Sequence, residues 1–256
     1  MPEKQSDDFV QSLARGLAVI RAFDAEHASL TLSDVARRAG LTRAAASRFL
    51  RTLVALGYVR SDEREFSLTP RVLELGFSYL SSLSLPEIVQ PHLELLSRAV
   101  DESVSAAVLD GTDVVYVARV PTRRIMNVRI TIGTRFPAYA TSMGRVLLAG
   151  MPRPERDAVI AASDLTHLTD RTLTDPHALA RELDRVGEQG WALVDGELEP
   201  GLRSIAVGLR GRAGATVAAM NVSTGSSSDD PGAVRDRFLP AMRETAAAIE
   251  AELRLM

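Results

Sequence analysis

Apolar residues at Leu13, Leu17, Ile20 and Phe23 recur at helical spacing, which predicts a first amphipathic helix after a short lead ending before Val10. Ser33 is placed to cap a second helix, Asp34 to Ala39, which Gly40 ends. Thr42 caps a third, running to about Leu56, with Gly57 as its stop. Tyr58–Arg60 and Phe66–Leu68 read as two short strands around the charged turn 61–65. Thr69-Pro70 is a cap followed by a proline suited to the first helical position, and it opens a helix from Arg71 to about Leu83. Leu85-Pro86 breaks the pattern and marks the domain boundary.

Beyond the break, a helix fits Pro86 to Asp101, with Pro91 at a bend or restart. Strands fit Ser103–Leu109 and Val114–Val120, and the Asp110-Gly111 pair between them signals a hairpin. A third strand fits Met126–Ile132. Helices fit Ser142–Ala149, Arg153–Ala162 and Pro176–Gln189. Late strands fit Trp191–Asp195, Ser204–Leu209 and Thr216–Val222. Ser223 to Asp230 is a polar loop, and Pro231 to Leu255 a closing helix. The class is therefore α+β. A helical head spans 10–70, a linker helix 71–85, and a largely antiparallel sheet flanked by helices fills 86–256.

The segment Leu32–Tyr58 has the order short helix, glycine turn, longer helix, which is helix-turn-helix grammar; with the two strands it makes a winged head. At about 100° per residue, Ala46, Phe49, Leu50 and Leu53 share the inward face of the third helix. Arg43, Ala44, Ser47, Arg48 and Arg51 occupy the other. Arginines there suit phosphates and guanine edges, and serine and alanine allow close approach to bases. Thr42 starts that helix, and Arg60 and Arg64 in the wing are candidates for flanking phosphates.

Charge adds to this picture. The chain carries a formal net charge of -3, yet 12–71 holds ten arginines against six acidic residues, a local balance of +4. A solvated arginine face on an ordinary three-helix domain is the bland alternative. Cysteine is absent, which removes disulfides, thiolate nucleophiles and cysteine metal sites. The polar, acidic start is unlike a signal peptide, and no apolar run approaches the ~20 residues of a membrane helix, so a cytoplasmic location is expected.

Longer motifs resemble a family. Ser12–Leu17, the stretch RFPAYATSMGRVLLA at Arg135–Ala149, GWALVDGELEPGLRSIAV at Gly190–Val207, and AAMNVS at Ala218–Ser223 resemble, in order, the signatures of the IclR-type transcriptional regulators. YVARVPTRRIM at Tyr116–Met126 is most similar to the branch that controls aromatic-acid breakdown through protocatechuate and β-ketoadipate. One departure is Gly208, where the family more often has proline after Ala-Val. The resemblance implies a GAF-like effector domain with a curved antiparallel sheet and a ligand cleft on one face. It also implies a homodimer, often paired into a tetramer, acting on an operator in double-stranded DNA. Leu73, Gly76, Leu80 and Leu83 would form a self-association stripe on the linker helix.

Matched to those signatures, a small carboxylate effector would sit near four pieces. Thr141, Ser142, Met143 and Gly144 begin a helix whose N–H groups suit an anion. Asp195 and Glu197 are two apart at a strand end, Arg203 and Ser204 follow, and Asn221 and Ser223 are two apart on the last core strand. Arg203 is the favoured counter-ion, with Arg119 and Arg135 as further candidates. Two other readings of the body remain open. Asp195 and Glu197 could serve acid–base catalysis with Ser142 as nucleophile, although no GxSxG, HExxH or phosphate-binding GxxxxGK[ST] accompanies them. Alternatively the body only assembles, as side chains packed shut in the cleft would suggest. No cofactor, metal site or catalytic residue is expected.

Overall fold

A computed structural model describes residues 9–24, 26–62, 64–75, 85–122, 130–225 and 230–254. The chain divides into two compact units, 1–82 and 83–256.

The first unit contains α1 (Gln11–Arg21), β1 (Ser29–Thr31), α2 (Leu32–Arg38), α3 (Arg43–Ala55), β2 (Val59–Ser61) and β3 (Glu65–Leu68). Val19, Phe23, Val35, Leu50 and Leu53 are buried together at its centre. Two expectations need correction. The cap of α2 is Thr31, not Ser33: its Oγ1 accepts the Asp34 N–H at 3.3 Å, and the helix starts two residues early. A third strand, β1, also joins the wing by pairing with β3, so the sheet order is β1-β3-β2. Its three residues are too few to carry a visible alternation. A short 3-10 turn follows at Pro70–Val72, capped by Thr69. The expected linker helix lies for the most part outside the described residues, as do Gly76, Leu80 and Leu83 of its stripe.

The second unit holds α4 (Leu85–Val100), β4 (Ser103–Asp110), β5 (Asp113–Val120), β6 (Arg135–Pro137), α5 (Ser142–Ala149), α6 (Arg153–Ala162), α7 (Pro176–Gln189), β7 (Trp191–Asp195), β8 (Leu202–Arg210), β9 (Thr216–Gly225) and α8 (Pro231–Leu253). Its six strands form one antiparallel sheet in the order β6-β5-β4-β9-β8-β7. Alternation gives that sheet two buried faces. Val104, Ile205, Val207, Met220 and Val222 pack with Leu93 of α4 and Phe238 and Met242 of α8. Ala107, Tyr116, Ala192, Ala206 and Ala219 pack with Met143 and Leu147 of α5 and Leu179 and Leu183 of α7. Small residues on that second face let α5 lie close to the strands.

Three boundaries differ from the pattern reading. Pro91 does not restart α4: the helix runs through it, with Val89, Leu93 and Leu96 buried on both sides. β9 continues to Gly225, so Ser223 is a strand residue rather than the start of a loop. Of the expected strand Met126–Ile132, residues 126–129 lie outside the described residues, and the described remainder is not strand; β6 begins at Arg135.

Candidate functional site: recognition helix and cleft

The head presents α3 as an isolated basic ridge. Thr42 Oγ1 accepts the Ala45 N–H at 3.2 Å and so fixes where the helix begins. Ala46, Leu50 and Leu53 are buried, while Arg43, Ala44, Arg48 and Arg51 are exposed and Ser47 is half-buried. Arg51 donates to Ser47 Oγ at 3.2 Å, one turn back. No carboxylate pairs with Arg43, Arg48 or Arg51 among the described residues. Elsewhere in the head, Arg37 pairs with Asp34, Arg38 with Asp24 and Arg71 with Glu74. Arg43, Arg48 and Arg51 on the outward face of α3 are thus among the head's uncompensated cations, and they would meet a polyanion at no cost in broken ion pairs. Arg60 and Arg64 are exposed on the wing.

In the second unit the face under α5 turns polar toward one end. Register places Ser103, Ser223 and Ser204 side by side across β4, β9 and β8, with Ser105, Asn221 and Ala206 in the adjacent row. All five polar residues are buried. Ser204 Oγ lies 2.8 Å from Ser142 Oγ at the start of α5. Asn221 Nδ2 donates to Ser223 Oγ at 3.0 Å, leaving the buried Oδ1 with no donor among the described residues. Arg119, opposite Ser105 on β5, reaches across to donate to Ser105 Oγ at 3.0 Å. It has no carboxylate partner among the described residues, and its Nε is buried without an acceptor. Burial holds the Arg119 guanidinium below its ordinary pKa. Burial also pushes the neighbouring Tyr116 hydroxyl up to about 12, against the opposing pull of Arg119.

Tyr116, Thr141, Ser204, Asn221 and Ser223 line a small cavity here, closed over by Ile130, Leu198 and Leu202. Its free volume is about 10 Å³, close to what a single water needs.

The expected site residues separate into those this cleft gathers and those it does not. Thr141, Ser204, Asn221 and Ser223 line it, Ser142 bonds to Ser204, and Arg119 lies on the same sheet face, bonded to Ser105 outside the cavity lining. Arg203 does not share this face. One residue from Ser204 on the same strand, it faces the opposite side of the sheet. There its Nε lies 3.0 Å from Asp195 Oδ1 and its Nη2 donates to Oδ2 at 3.0 Å. Asp195 also accepts from Arg171 at 2.9 Å. The hydrogen bond from Arg203 is the main reason its carboxyl is held below the usual range. Glu197 lies beyond the end of β7, not on its face. It accepts from Arg145 Nη2 at 2.5 Å and from the Leu173 N–H at 2.9 Å. Arg135 sits at the far tip of the β4–β5 hairpin, tied to Asp110 at 2.6 Å and Asp113 at 3.1 Å. The α5 terminus also differs from the expectation. The Gly144 N–H is already bonded to Thr141 Oγ1 at 3.0 Å, and Met143 is buried in the core. Gly144 admits protein rather than ligand: a Cβ there would fall 2.1 Å from the Ala138 carbonyl oxygen.

Ser103, Ser105 and Tyr116 escaped the sequence reading, although the alternation in Ser103-Val104-Ser105 marks two polar residues on one face of a core strand. Arg145 escaped because it lies inside an apolar helix. Its guanidinium is 3% exposed, pairing with Glu197 and donating to the Tyr139 carbonyl at 3.0 Å.

Comparison with known proteins agrees with the two-part reading. Residues 12–63 match the IclR helix-turn-helix domain, and residues 77–251 match the C-terminal domain of the bacterial transcriptional regulator IclR. The chain is 45% identical over 236 residues to the Pca regulon regulatory protein of Pseudomonas putida, covering 92% of this chain and 81% of that one. It is 39% identical over 249 residues to the p-hydroxybenzoate hydroxylase transcriptional activator of Acinetobacter baylyi, covering 95% and 92%. The crystal structure of an IclR homolog complexed with 4-hydroxybenzoate, from Microbacterium hydrocarbonoxydans, superposes with a TM-score of 0.84 at 28% identity, covering 96% of this chain and 100% of that one. The polar cleft, the basic recognition helix and these matches lead to one conclusion: the chain belongs to the IclR family of bacterial transcriptional regulators.

Proposed function

We propose that this chain regulates genes of aromatic-acid catabolism. Its affinity for operator DNA is set by a small aromatic carboxylate bound in the polar end of a GAF-like second unit. Arg43, Ala44, Ser47 and Arg48 read the major groove, Arg51 reinforces them, and Arg60 and Arg64 hold flanking phosphates. The protein acts as a homodimer, so that two recognition helices meet two half-sites.

The observation that carries the effector reading is Arg119, a half-buried cation with no carboxylate partner among the described residues, on the sheet face that also holds the unsatisfied Asn221 Oδ1. A ligand carboxylate on Arg119 and Ser105, with a hydroxyl on Asn221, would satisfy both. The relatives named for the Pca regulon and p-hydroxybenzoate hydroxylase, and the homolog bound to 4-hydroxybenzoate, point to the same class of acid. Effector and operator must each shift the other's affinity by the same factor.

A body that serves assembly alone is the second reading, favoured by the closed cleft. The two unpartnered buried atoms weigh against it, since a purely structural core satisfies its polar groups.

Calorimetric titration of the full chain with 4-hydroxybenzoate, protocatechuate and benzamide separates the two. One of the acids binds and the amide does not. Arg119→Gln weakens the acid about 10- to 100-fold, the range expected for one hydrogen bond to a charged group. Binding should also change affinity for the duplex upstream of the chain's own gene. Absence of binding by every acid leaves the assembly reading. Equal affinity of Arg119→Gln and the unsubstituted chain removes Arg119 from the site.

A further inference from the structure

A second groove lies in the head, between α1 and α3, with a volume of about 420 Å³. Its walls include Gln11, Ser12 and Arg15 from α1 and Arg48 and Thr52 from α3. Arg15 and Arg48 are both exposed, and neither side chain has an ion pair or hydrogen bond among the described residues. Two cations thus share one concave surface with an amide and two hydroxyls, and no carboxylate lines it.

The position of Arg48 links this groove to the DNA-reading face. At about 100° per residue, Ala45, Arg48 and Thr52 form the flank of α3 that turns toward α1, and Arg48 lies between that flank and the outward ridge of Arg51 and Ala44. A duplex that admits α3 into its major groove carries a phosphate strand along each side of the helix. The strand on the α1 side runs over this groove. Arg15 does not lie on the inserted helix, so it meets backbone oxygens rather than base edges. Arginine, glutamine and serine side chains are suited to such oxygens.

We propose that the α1–α3 groove is a clamp for a backbone phosphate of bound DNA, with Arg15 as its α1-side cation and Gln11 and Ser12 as neutral donors. The inference rests on the head binding DNA and adds a contact outside the helix-turn-helix proper. Arg15 supplies affinity without sequence preference, and Arg48 couples the clamp to the reading helix.

The test is fluorescence-anisotropy titration of the full chain on two duplexes of unrelated sequence, from about 50 to 200 mM salt. Arg15→Ala lowers the slope of log affinity against log salt by about 0.9 for each bound protomer, equally on both duplexes. Arg15→Lys keeps the slope. Arg21→Ala serves as the control, because Arg21 is exposed on the same helix but does not line the groove. It leaves the slope unchanged. An unchanged slope in Arg15→Ala, on duplexes the unsubstituted chain binds, overturns the clamp alone. An equal fall in Arg21→Ala overturns it too, because bulk charge then accounts for the effect. No binding by the unsubstituted chain overturns the clamp together with the DNA-binding reading.

Discussion

Arg145 and Glu197 form an ion pair that ties the middle of α5 to the turn after β7, with side chains 3% and 13% exposed. The Glu197 carboxylate also caps the Leu173 N–H, and the Thr172 hydroxyl holds the Glu197 carbonyl at 2.7 Å. Leu198, the next residue, lines the cavity. Breaking a buried pair from one side strands the other charge, at a cost of about 3–5 kcal/mol. Arg145→Met is expected to fall near the low end, since Glu197 keeps its bond to Leu173. The double variant Arg145→Met/Glu197→Leu recovers much of the loss. Urea midpoints of the two single variants and the double would show this; strictly additive losses would mean that the two residues do not act as a pair.

Gly144 is the second test. A Cβ at this position would overlap the Ala138 carbonyl, which is backbone and cannot swing aside. Gly144→Ala is expected to destabilise by roughly 1–3 kcal/mol or more. Gly187→Ala, whose nearest atom would be at an ordinary 3.7 Å, makes the comparison. Similar thermal midpoints for the two variants would contradict the close packing of α5 on its preceding turn.

The cap of α2 discriminates between neighbours. Thr31→Ala removes the side chain that accepts the Asp34 N–H and costs about 1 kcal/mol. Ser33→Ala, at an exposed position one residue inside the helix, stays within about 0.5 kcal/mol. A reversed order in chemical denaturation would restore Ser33 as the cap.

Asp195 predicts a pH dependence. Its pKa is lowered in the folded chain, first by the hydrogen bond from Arg203. Its stabilising contribution is therefore complete above the unfolded value of about 3.9 and is lost as pH falls through the lower folded value. Asp195→Asn should be less stable than the unsubstituted chain at neutral pH, with the gap closing below about pH 4. A gap that stays constant between neutral and acid pH would exclude this coupling.

Most of the fold could be read from the chain because helical periodicity and strand alternation report burial directly. α5, α6, α7 and β7 fall where their patterns place them. The errors arise where short-range pattern carries no information. Thr31 and Ser33 are chemically equivalent caps, and only tertiary packing chooses between them. Asp195 and Glu197 are two apart, but β7 ends at Asp195, so strand alternation does not extend to Glu197. The cleft was partly legible: Asn221 and Ser223 share a face as alternation requires. The family signature puts Arg203 and Ser204 together, although adjacent strand residues point to opposite faces. Its neighbours across the sheet, and the isolation of Arg119, emerge only once β4, β5, β8 and β9 are in register.

The cleft closed to about 10 Å³ has a quantitative consequence for any signal it receives. If a ring-bearing acid binds there as proposed, it needs conformers in which the apolar lining of Ile130, Leu198 and Leu202 has moved aside, so the measured affinity is the intrinsic one multiplied by the fraction of molecules open at a given moment. The dose at which the regulator responds is therefore adjustable from the apolar cover. Trimming Leu198 to alanine raises that open fraction and shifts the response to lower concentrations, with every polar partner of the acid left in place.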